Sequence, residues 1–240
     1  MSDRDFFIWR RGTLESFNAI TQSNDTYQLI NEQIQLLEFD SFGLCLRHPL
    51  PFTRPKYTIM GTYSPAFIDH YLQQNYFSID PILKKATGRV CDIIWNDALF
   101  ADCPELLHSL RDHGMKSGRT LSTVTANRIS GFLSLARGTE RVNGWSEDEL
   151  SARLNFLMEL TIATLVRLED PAMVGLDLRL SRREREIIQW TGEGKTSAEI
   201  AIILSISENT VNFHQKNMQK KLNAANKTQI ASYAAALGLI

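Results

Sequence analysis

Residues 196–222 read Thr-Ser-Ala-Glu-Ile-Ala-Ile-Ile-Leu-Ser-Ile-Ser-Glu-Asn-Thr-Val-Asn-Phe-His-Gln-Lys-Asn-Met-Gln-Lys-Lys-Leu. Two helix starts stand in this stretch. Thr196-x-x-Glu199 is a capping box, in which a hydroxyl and a carboxylate each satisfy a backbone N–H left free at the first turn. Ser207 is the second cap, so only Ser205-Ile206-Ser207 separates a short helix from a longer one ending near Leu222. On the short helix Ile200, Ala201, Ile203 and Leu204 are expected to face inward. On the longer one Val211, His214, Met218 and Leu222 recur at three- and four-residue steps and read as its buried stripe. Asn212, Phe213, Gln215, Lys216 and Lys220 then point to solvent.

The flanks extend the pattern. Ser181-Arg-Arg-Glu184 is another capping box, opening a helix with Ile187, Ile188 and Thr191 inward, which Gly192 and Gly194 stop. Asn226-Lys-Thr-Gln229 caps a fourth helix, with Ile230, Ala231 and Ala234 apolar and Gly238 at its end. A short helix, a tight turn and a longer helix inside such a bundle is helix-turn-helix geometry. An outward face mixing amides, lysines and an aromatic suits base edges, phosphates and a thymine methyl in a major groove. Ser207, Asn209 and Thr210, and likewise Lys195, Thr196 and Ser197, lie at helix N-termini whose free N–H groups attract phosphate.

Composition frames this module. The chain has 240 residues, 43% hydrophobic and 22% charged, an ordinary globular balance with room for two domains. Residues 171–240 carry nine Lys/Arg against six Asp/Glu, a net +3, and the preceding residues carry 17 against 21, a net −4. A basic C-terminal part on an acidic partner fits a nucleic-acid reader attached to something with another task. No apolar run approaches the roughly 20 residues that cross a bilayer, and the charged start leading into Phe6-Phe7-Ile8-Trp9 lacks a signal-peptide layout. Cys45, Cys91 and Cys103 make an odd count without a Cys-x-x-Cys pair, which argues against a disulfide framework or zinc site and fits a reducing cytoplasm.

Proline and glycine interrupt the pattern over 169–180, the expected linker between a domain at 1–168 and one at 181–240. Ser146-x-x-Glu149 starts a helix to about Leu168 whose apolar residues occupy more than one side. One side can pack on its own domain and the other on a second copy of the chain. Before it, helices are predicted at about 3–21, 25–38, 65–75 and 104–113. Strands are predicted at 42–47, 57–61, 91–95, 119–125 and 131–137, the last two joined by a hairpin at Asn127–Gly131. The expected class is α+β: an α/β/α sandwich with an antiparallel five-stranded sheet, suited to enclosing a small ligand, then a four-helix helix-turn-helix domain.

The stretches 181–187, 194–201 and 207–222 resemble the LuxR-type DNA-binding domain, with Glu184, Ile188 and Gly194 at its characteristic positions and Ile188 where Leu is commoner. The first half resembles the autoinducer-binding domain of quorum-sensing receptors of that family. Asp5-Phe-Phe-x-Trp-Arg-Arg11, Arg47-His-Pro-x-Pro-Phe-Thr-Arg-Pro-Lys56, Ile79-Asp-Pro-x-Leu83 and Trp95-Asn-Asp-x-Leu-Phe100 carry the likeness. It implies a receptor for N-acyl-homoserine lactones or similar acyl-chain molecules, with no cofactor. It also implies a homodimer that binds double-stranded DNA at a palindromic site and activates transcription with RNA polymerase, away from membranes. By the same resemblance Asn212, Phe213 and Lys216 would read bases, with Lys220 on the backbone.

The implied pocket comprises Gly43, Ile59, Tyr63, Phe67, Tyr71, Asp80, Trp95 and Ser134. Asp80 can accept from a ligand amide N–H, Tyr63 and Ser134 can donate to carbonyls, and Trp95 and Tyr71 supply apolar walls. Read from residues alone, Asp80-Pro81 is equally an ordinary helix N-cap with proline at the first position, and the aromatics are equally core. Two positions depart from the pattern. Position 67 is usually Trp, whose indole N–H donates to the lactone carbonyl, and Phe67 has no donor. Position 43, Ser in a close relative, is Gly.

An enzyme reading finds no Gly-x-Ser-x-Gly elbow, no phosphate-binding glycine loop and no His-Glu-x-x-His pattern, and Asp69-His70 has no nucleophile beside it in any motif. The alternating strand-helix order and acidic cluster of a phosphorylated receiver domain are missing too. A lactone hydrolase fused to a DNA reader and a ligand-independent regulator or anti-activator working through protein partners stay as alternatives.

Overall fold

The computed structural model describes residues 3–139, 145–173 and 180–240. Two compact units emerge: Met1–Arg47 with Tyr57–Thr125 and Ser130–Met173, and His48–Lys56 with Ala126–Ile129 and Val174–Ile240. Most of the expected linker, 174–179, lies outside the described residues. Its first residues belong to the first unit, where Asp170 and Met173 are buried.

The first unit runs α1 (Asp3–Ala19), α2 (Ser23–Leu36), β1 (Ser41–Arg47), β2 (Tyr57–Gly61) and α3 (Pro65–Gln73). After a 3-10 turn (Tyr76–Ser78) come α4 (Pro81–Ala86), β3 (Cys91–Ile94), α5 (Pro104–Asp112), β4 (Ser117–Val124), β5 (Ser130–Arg137) and α6 (Glu147–Arg167). The five strands form one sheet in the order β2-β1-β5-β4-β3, antiparallel throughout, as the sequence pattern predicts. Successive side chains alternate between its faces. Phe42, Leu44 and Leu46 of β1, Leu133 and Leu135 of β5 and Leu121 of β4 are fully buried on one face. Helices α2 and α6 pack there, and α6 comes close enough that a Cβ at Gly131 would meet Met158 at 3.1 Å. The register puts Gly43, Ser134, Thr120 and Ile93 in one row across four strands of the other face.

Helix α6 has the expected cap, Ser146 Oγ accepting from Glu149 N at 3.2 Å, but only that half of the box. The Glu149 carboxylate turns instead to Arg153, accepting from Nη2 at 2.7 Å. Arg153 is fully buried, its guanidinium over the Trp9 and Trp145 rings at 4.6 Å each. Arg119 of β4 ties the helix start to the sheet, donating to both Asp92 oxygens (2.5 and 2.6 Å) and to Glu147 Oε2 (2.9 Å).

The second unit contains α7 (Arg182–Gly192), α8 (Ser197–Leu204), α9 (Glu208–Leu222) and α10 (Lys227–Ala236). The capping boxes at Ser181/Glu184 and Thr196/Glu199 are complete. Ser205 in the left-handed region (φ 53°) closes α8 and Gly194 (φ 81°) follows α7. Ile187, Ile188, Ile200, Val211, Met218, Leu222, Ile230 and Ala234 are wholly buried between the helices.

Two inward assignments need correction. Ile203 is 42% exposed, because Ile200, Ala201 and Leu204 share one side of α8 and Ile203 lies beside it. In α9 the buried stripe is Val211, Gln215, Met218 and Leu222, at steps of four, three and four, and His214 is half-buried next to it. Gln215 thus points inward, not outward. Its Oε1 accepts from Ser197 Oγ at 3.2 Å and its Nε2 donates to Thr191 Oγ1 at 3.3 Å, so it joins three helices. A polar residue in an apolar seam is stable when its groups are paired, which alternation of residue type alone does not reveal.

Candidate ligand pocket and nucleic-acid interface

The sheet face that carries Gly43 and Ser134 is roofed by α3, α4 and α5. Between roof and floor lies a mainly apolar cavity. Gly43, Ile59, Tyr63, Phe67, Tyr71, Asp80, Trp95 and Ser134 all line it. The sequence reading missed Cys45, Phe77, Leu106, Leu110 and Phe132, which line it too. Strand alternation held the signal for Cys45 and Phe132, each two residues from a named floor residue. For Leu106 and Leu110 of α5 nothing in the pattern separates cavity wall from core.

The polar groups gather into two sets. Asp80 caps α4: its Oδ1 accepts from Ile82 N at 2.8 Å, and its Oδ2 accepts from the Tyr71 hydroxyl at 2.6 Å. Burial pushes the Asp80 carboxyl above the usual range, while the Tyr71 hydroxyl and the N–H groups of Ile82 and Leu83 pull it part of the way back. Burial next to Asp80 likewise raises the Tyr71 and Tyr63 phenols, so both stay protonated donors. The ordinary N-cap reading of Asp80 is therefore right, and it coexists with a place on the cavity wall.

The second set lies on the sheet. Trp95 Nε1 donates to Thr120 Oγ1 at 2.9 Å, Thr120 Oγ1 is 2.9 Å from Ser134 Oγ, and the Tyr63 hydroxyl donates to the Ser134 carbonyl at 3.0 Å. Either hydroxyl of the Thr120–Ser134 pair can donate to the other, and the arrangement in which Thr120 donates leaves the Ser134 hydrogen for the cavity. The pocket thus combines apolar walls, a carboxylate acceptor and a hydroxyl donor, a pattern that fits the N–H and carbonyl of an amide on an aliphatic chain. Among the described residues no group of three His, Cys, Asp or Glu is placed to hold a metal ion.

In the helical unit Asn209, Asn212, Phe213 and Lys216 line a shallow surface groove with Gln219 and Lys227. Phe213 is 59% exposed, a large apolar ring open to solvent beside the His214 ring at 5.6 Å. Lys195, Thr196, Ser207 and Lys220 are exposed and Thr210 is half-buried. The Ser207 hydroxyl accepts from Thr210 N at 3.1 Å and the Thr196 hydroxyl from Glu199 N at 3.3 Å, so both hydroxyls serve as caps. Gln215 also reaches the floor of this groove, but its amide is spent inside the bundle. Lys227, which the sequence reading did not single out, enters the groove because it opens α10 beside α9. Lys221 reaches back to Glu184 Oε2 at 2.7 Å and so serves the bundle.

Comparison with known proteins finds a family model for each part of the chain. Residues 22–164 match the model of the autoinducer binding domain, and residues 178–234 match that of bacterial regulatory proteins of the luxR family. The regulatory protein SdiA of Escherichia coli (strain K12) is 47% identical over 240 residues, all of both chains. The quorum-sensing regulator RhlR of Pseudomonas aeruginosa is 41% identical over 239 residues, 100% of this chain and 99% of its own. A solved structure of SdiA in complex with octanoyl-rac-glycerol superposes with a TM-score of 0.93 at 46% identity, covering 100% of this chain and 98% of that one. With a ligand-binding sheet domain and a helix-turn-helix domain matched in the same order, the chain belongs to the LuxR family of autoinducer-binding transcription regulators.

Proposed function

We propose that this chain is a cytoplasmic regulator, not an enzyme, that senses an N-acyl-homoserine lactone or similar acyl-chain molecule. As a homodimer it binds a palindromic DNA site and activates transcription with RNA polymerase. The observation that carries the ligand class is the cavity, where an apolar enclosure brings the Asp80 carboxyl together with the Ser134 hydroxyl. Asp80 takes the amide N–H, Ser134 donates to a ligand carbonyl, and the acyl chain lies among Leu106, Leu110 and Phe132. Ligand binding belongs to residues 1–168 and DNA binding to 181–240. Exposed Phe7 and Ile8 on α1 and Val166 on α6 are apolar side chains that pairing with a second copy would cover. On DNA the groove along α9 presents Asn212, Phe213 and Lys216 to bases, and Lys220 to phosphate. Two such helices, about 34 Å apart on a two-fold site, read successive major grooves.

A second ligand class has its own support. Phe67 offers no donor to a lactone carbonyl, and Tyr63 and Trp95 spend theirs on the sheet. A glycerol head, whose hydroxyls both donate and accept, suits such a pocket, and SdiA has been solved with octanoyl-rac-glycerol. Mass spectrometry of small molecules that copurify with the full chain, followed by calorimetry with N-octanoyl-homoserine lactone and 1-octanoylglycerol, tests the reading. Binding of neither, with no acyl compound retained, refutes it.

A further inference from the structure

We propose that Gly43 is a specificity-determining residue: lacking a side chain, it gives the Tyr63 ring a seat against β1 that sets the room beside the ligand head. The proposal rests on the ligand reading above. Gly43 sits mid-strand, opposite Gly61 on β2 and Ser134 on β5, and its φ lies outside the left-handed range. The backbone therefore does not demand glycine there. Contact does. A Cβ at position 43 would lie 2.6 Å from Tyr63 Cε2 and 2.8 Å from Cδ2, well inside van der Waals range. The Tyr63 ring is also held edge-on to Phe67 at 5.8 Å, and by its hydroxyl to the Ser134 carbonyl at 3.0 Å.

The strand cannot give way. Gly43 registers with neighbours on both sides, and the Gly61 backbone already approaches so closely that a Cβ there would be 3.0 Å from Gly43 Cα. Any side chain at 43 must instead drive the Tyr63 ring off its seat, break its bond to Ser134 and narrow the cavity it lines. Gly118 of β4 seats Trp95 in the same way, with Trp95 Cε3 at 2.4 Å from a built Cβ. There, however, the Leu135 carbonyl oxygen at 2.6 Å also blocks a side chain, so that glycine is fixed by the sheet itself. At position 43 the three nearest atoms all belong to the Tyr63 side chain, so the position can vary without dismantling a strand. Such variation acts on the ligand head: a rigid lactone ring needs the space Tyr63 would take, whereas a glycerol can turn aside.

The test is calorimetry on the full chain with N-octanoyl-homoserine lactone and 1-octanoylglycerol. Gly43→Ala is compared in three backgrounds: wild type, Tyr63→Phe, which keeps the ring, and Tyr63→Ala, which removes it. Ligand-free melting is recorded for each variant. Gly43→Ala is expected to weaken the lactone about tenfold and the acylglycerol less, a loss repeated with Phe at 63 and abolished with Ala at 63. If Gly43→Ala alone fails to fold, adding Tyr63→Ala restores folding, and failure to restore it overturns the seat. Equal losses in all three backgrounds, no loss in any, or equal losses for both ligands overturn the proposal while leaving the ligand reading intact. Wild-type protein that binds neither ligand overturns both.

Discussion

Replacing Asp80 by Asn tests the pocket and the fold in one substitution. Each Asp80 oxygen has a partner: Ile82 N donates to one at 2.8 Å and the Tyr71 hydroxyl to the other at 2.6 Å. Asn retains a single oxygen, which the start of α4 holds on the Ile82 N–H. Its NH₂ then faces Tyr71 and the cavity, where a ligand amide also presents a donor. The loss is that of an acceptor replaced by a donor, which leaves a buried N–H unpaired and costs about 1–3 kcal/mol, or roughly 5- to 100-fold in affinity. N-octanoyl-homoserine lactone should suffer all of it, and 1-octanoylglycerol only a few-fold, because a hydroxyl can reverse its role. Stability should move the other way. Burial raises the Asp80 carboxyl, and its hydrogen bonds to Tyr71, Ile82 and Leu83 offset this only in part. A group whose folded pKa lies above its unfolded one stabilises most below the unfolded value, near 4, and that contribution is lost as pH climbs through the raised value. The Asn variant has no such loss. Urea unfolding of ligand-free protein between pH 4 and 8 should therefore show Asn gaining on Asp as pH rises. Equal affinity losses for the two ligands, or a stability difference independent of pH, would refute this account of Asp80.

The DNA face, the roof of the pocket and the bundle each give a further test. Lys216→Ala should relax base preference in a binding-site selection, whereas Lys220→Ala should weaken all sites alike and lower the salt slope by about one; identical profiles would contradict that division. Phe67→Trp adds an indole donor to the roof, which should tighten the lactone several-fold for a bond of about 1 kcal/mol. The position is packed by Tyr63, Tyr71 and His113 rings at 5.8, 5.9 and 5.4 Å, so melting should fall as well, by the roughly 1–3 kcal/mol of an overfilled core. Lactone affinity unchanged by calorimetry counts against the donor argument. Glu184→Gln should cost the helical unit about 2 kcal/mol in thermal or urea unfolding. Burial alone would raise the Glu184 carboxyl, but Lys221 and Ser181 outweigh it and hold it below the usual range. Its contribution is present above about pH 4 and lost as pH falls through the lowered value, so the Gln variant should show a shallower acid transition.

Much of this architecture is written in local chemistry. Capping boxes at Ser181 and Thr196 and the cap at Ser207 mark three helix starts because a free N–H demands a partner within three residues. Strand alternation places Phe132, Ser134 and Ala136 on one face for equally local reasons. Gln215 escaped because its position is decided by Ser197 and Thr191, residues 18 and 24 positions away whose hydroxyls make burial of an amide tolerable. His214 was favoured by the three-residue step from Val211, a weaker fit than the four-residue step to Gln215. The pocket residues were legible through family likeness far more than through pattern. Asp80 as a cap, Trp95 as core and Tyr63 beside a glycine all have plain structural uses, and those uses are present.

The cavity runs through an apolar cluster of its unit, among Phe67, Tyr71, Leu106, Leu110 and Phe132. A molecule lodged there is solvated by the same side chains that keep the chain folded. By mass action, a ligand at one hundred times its dissociation constant adds about 2.7 kcal/mol to the native state, a sizeable fraction of what a domain has in total. Signal concentration would therefore be registered partly as survival, through the share of molecules that escape chaperones and proteases, without any hinge or lever having to move.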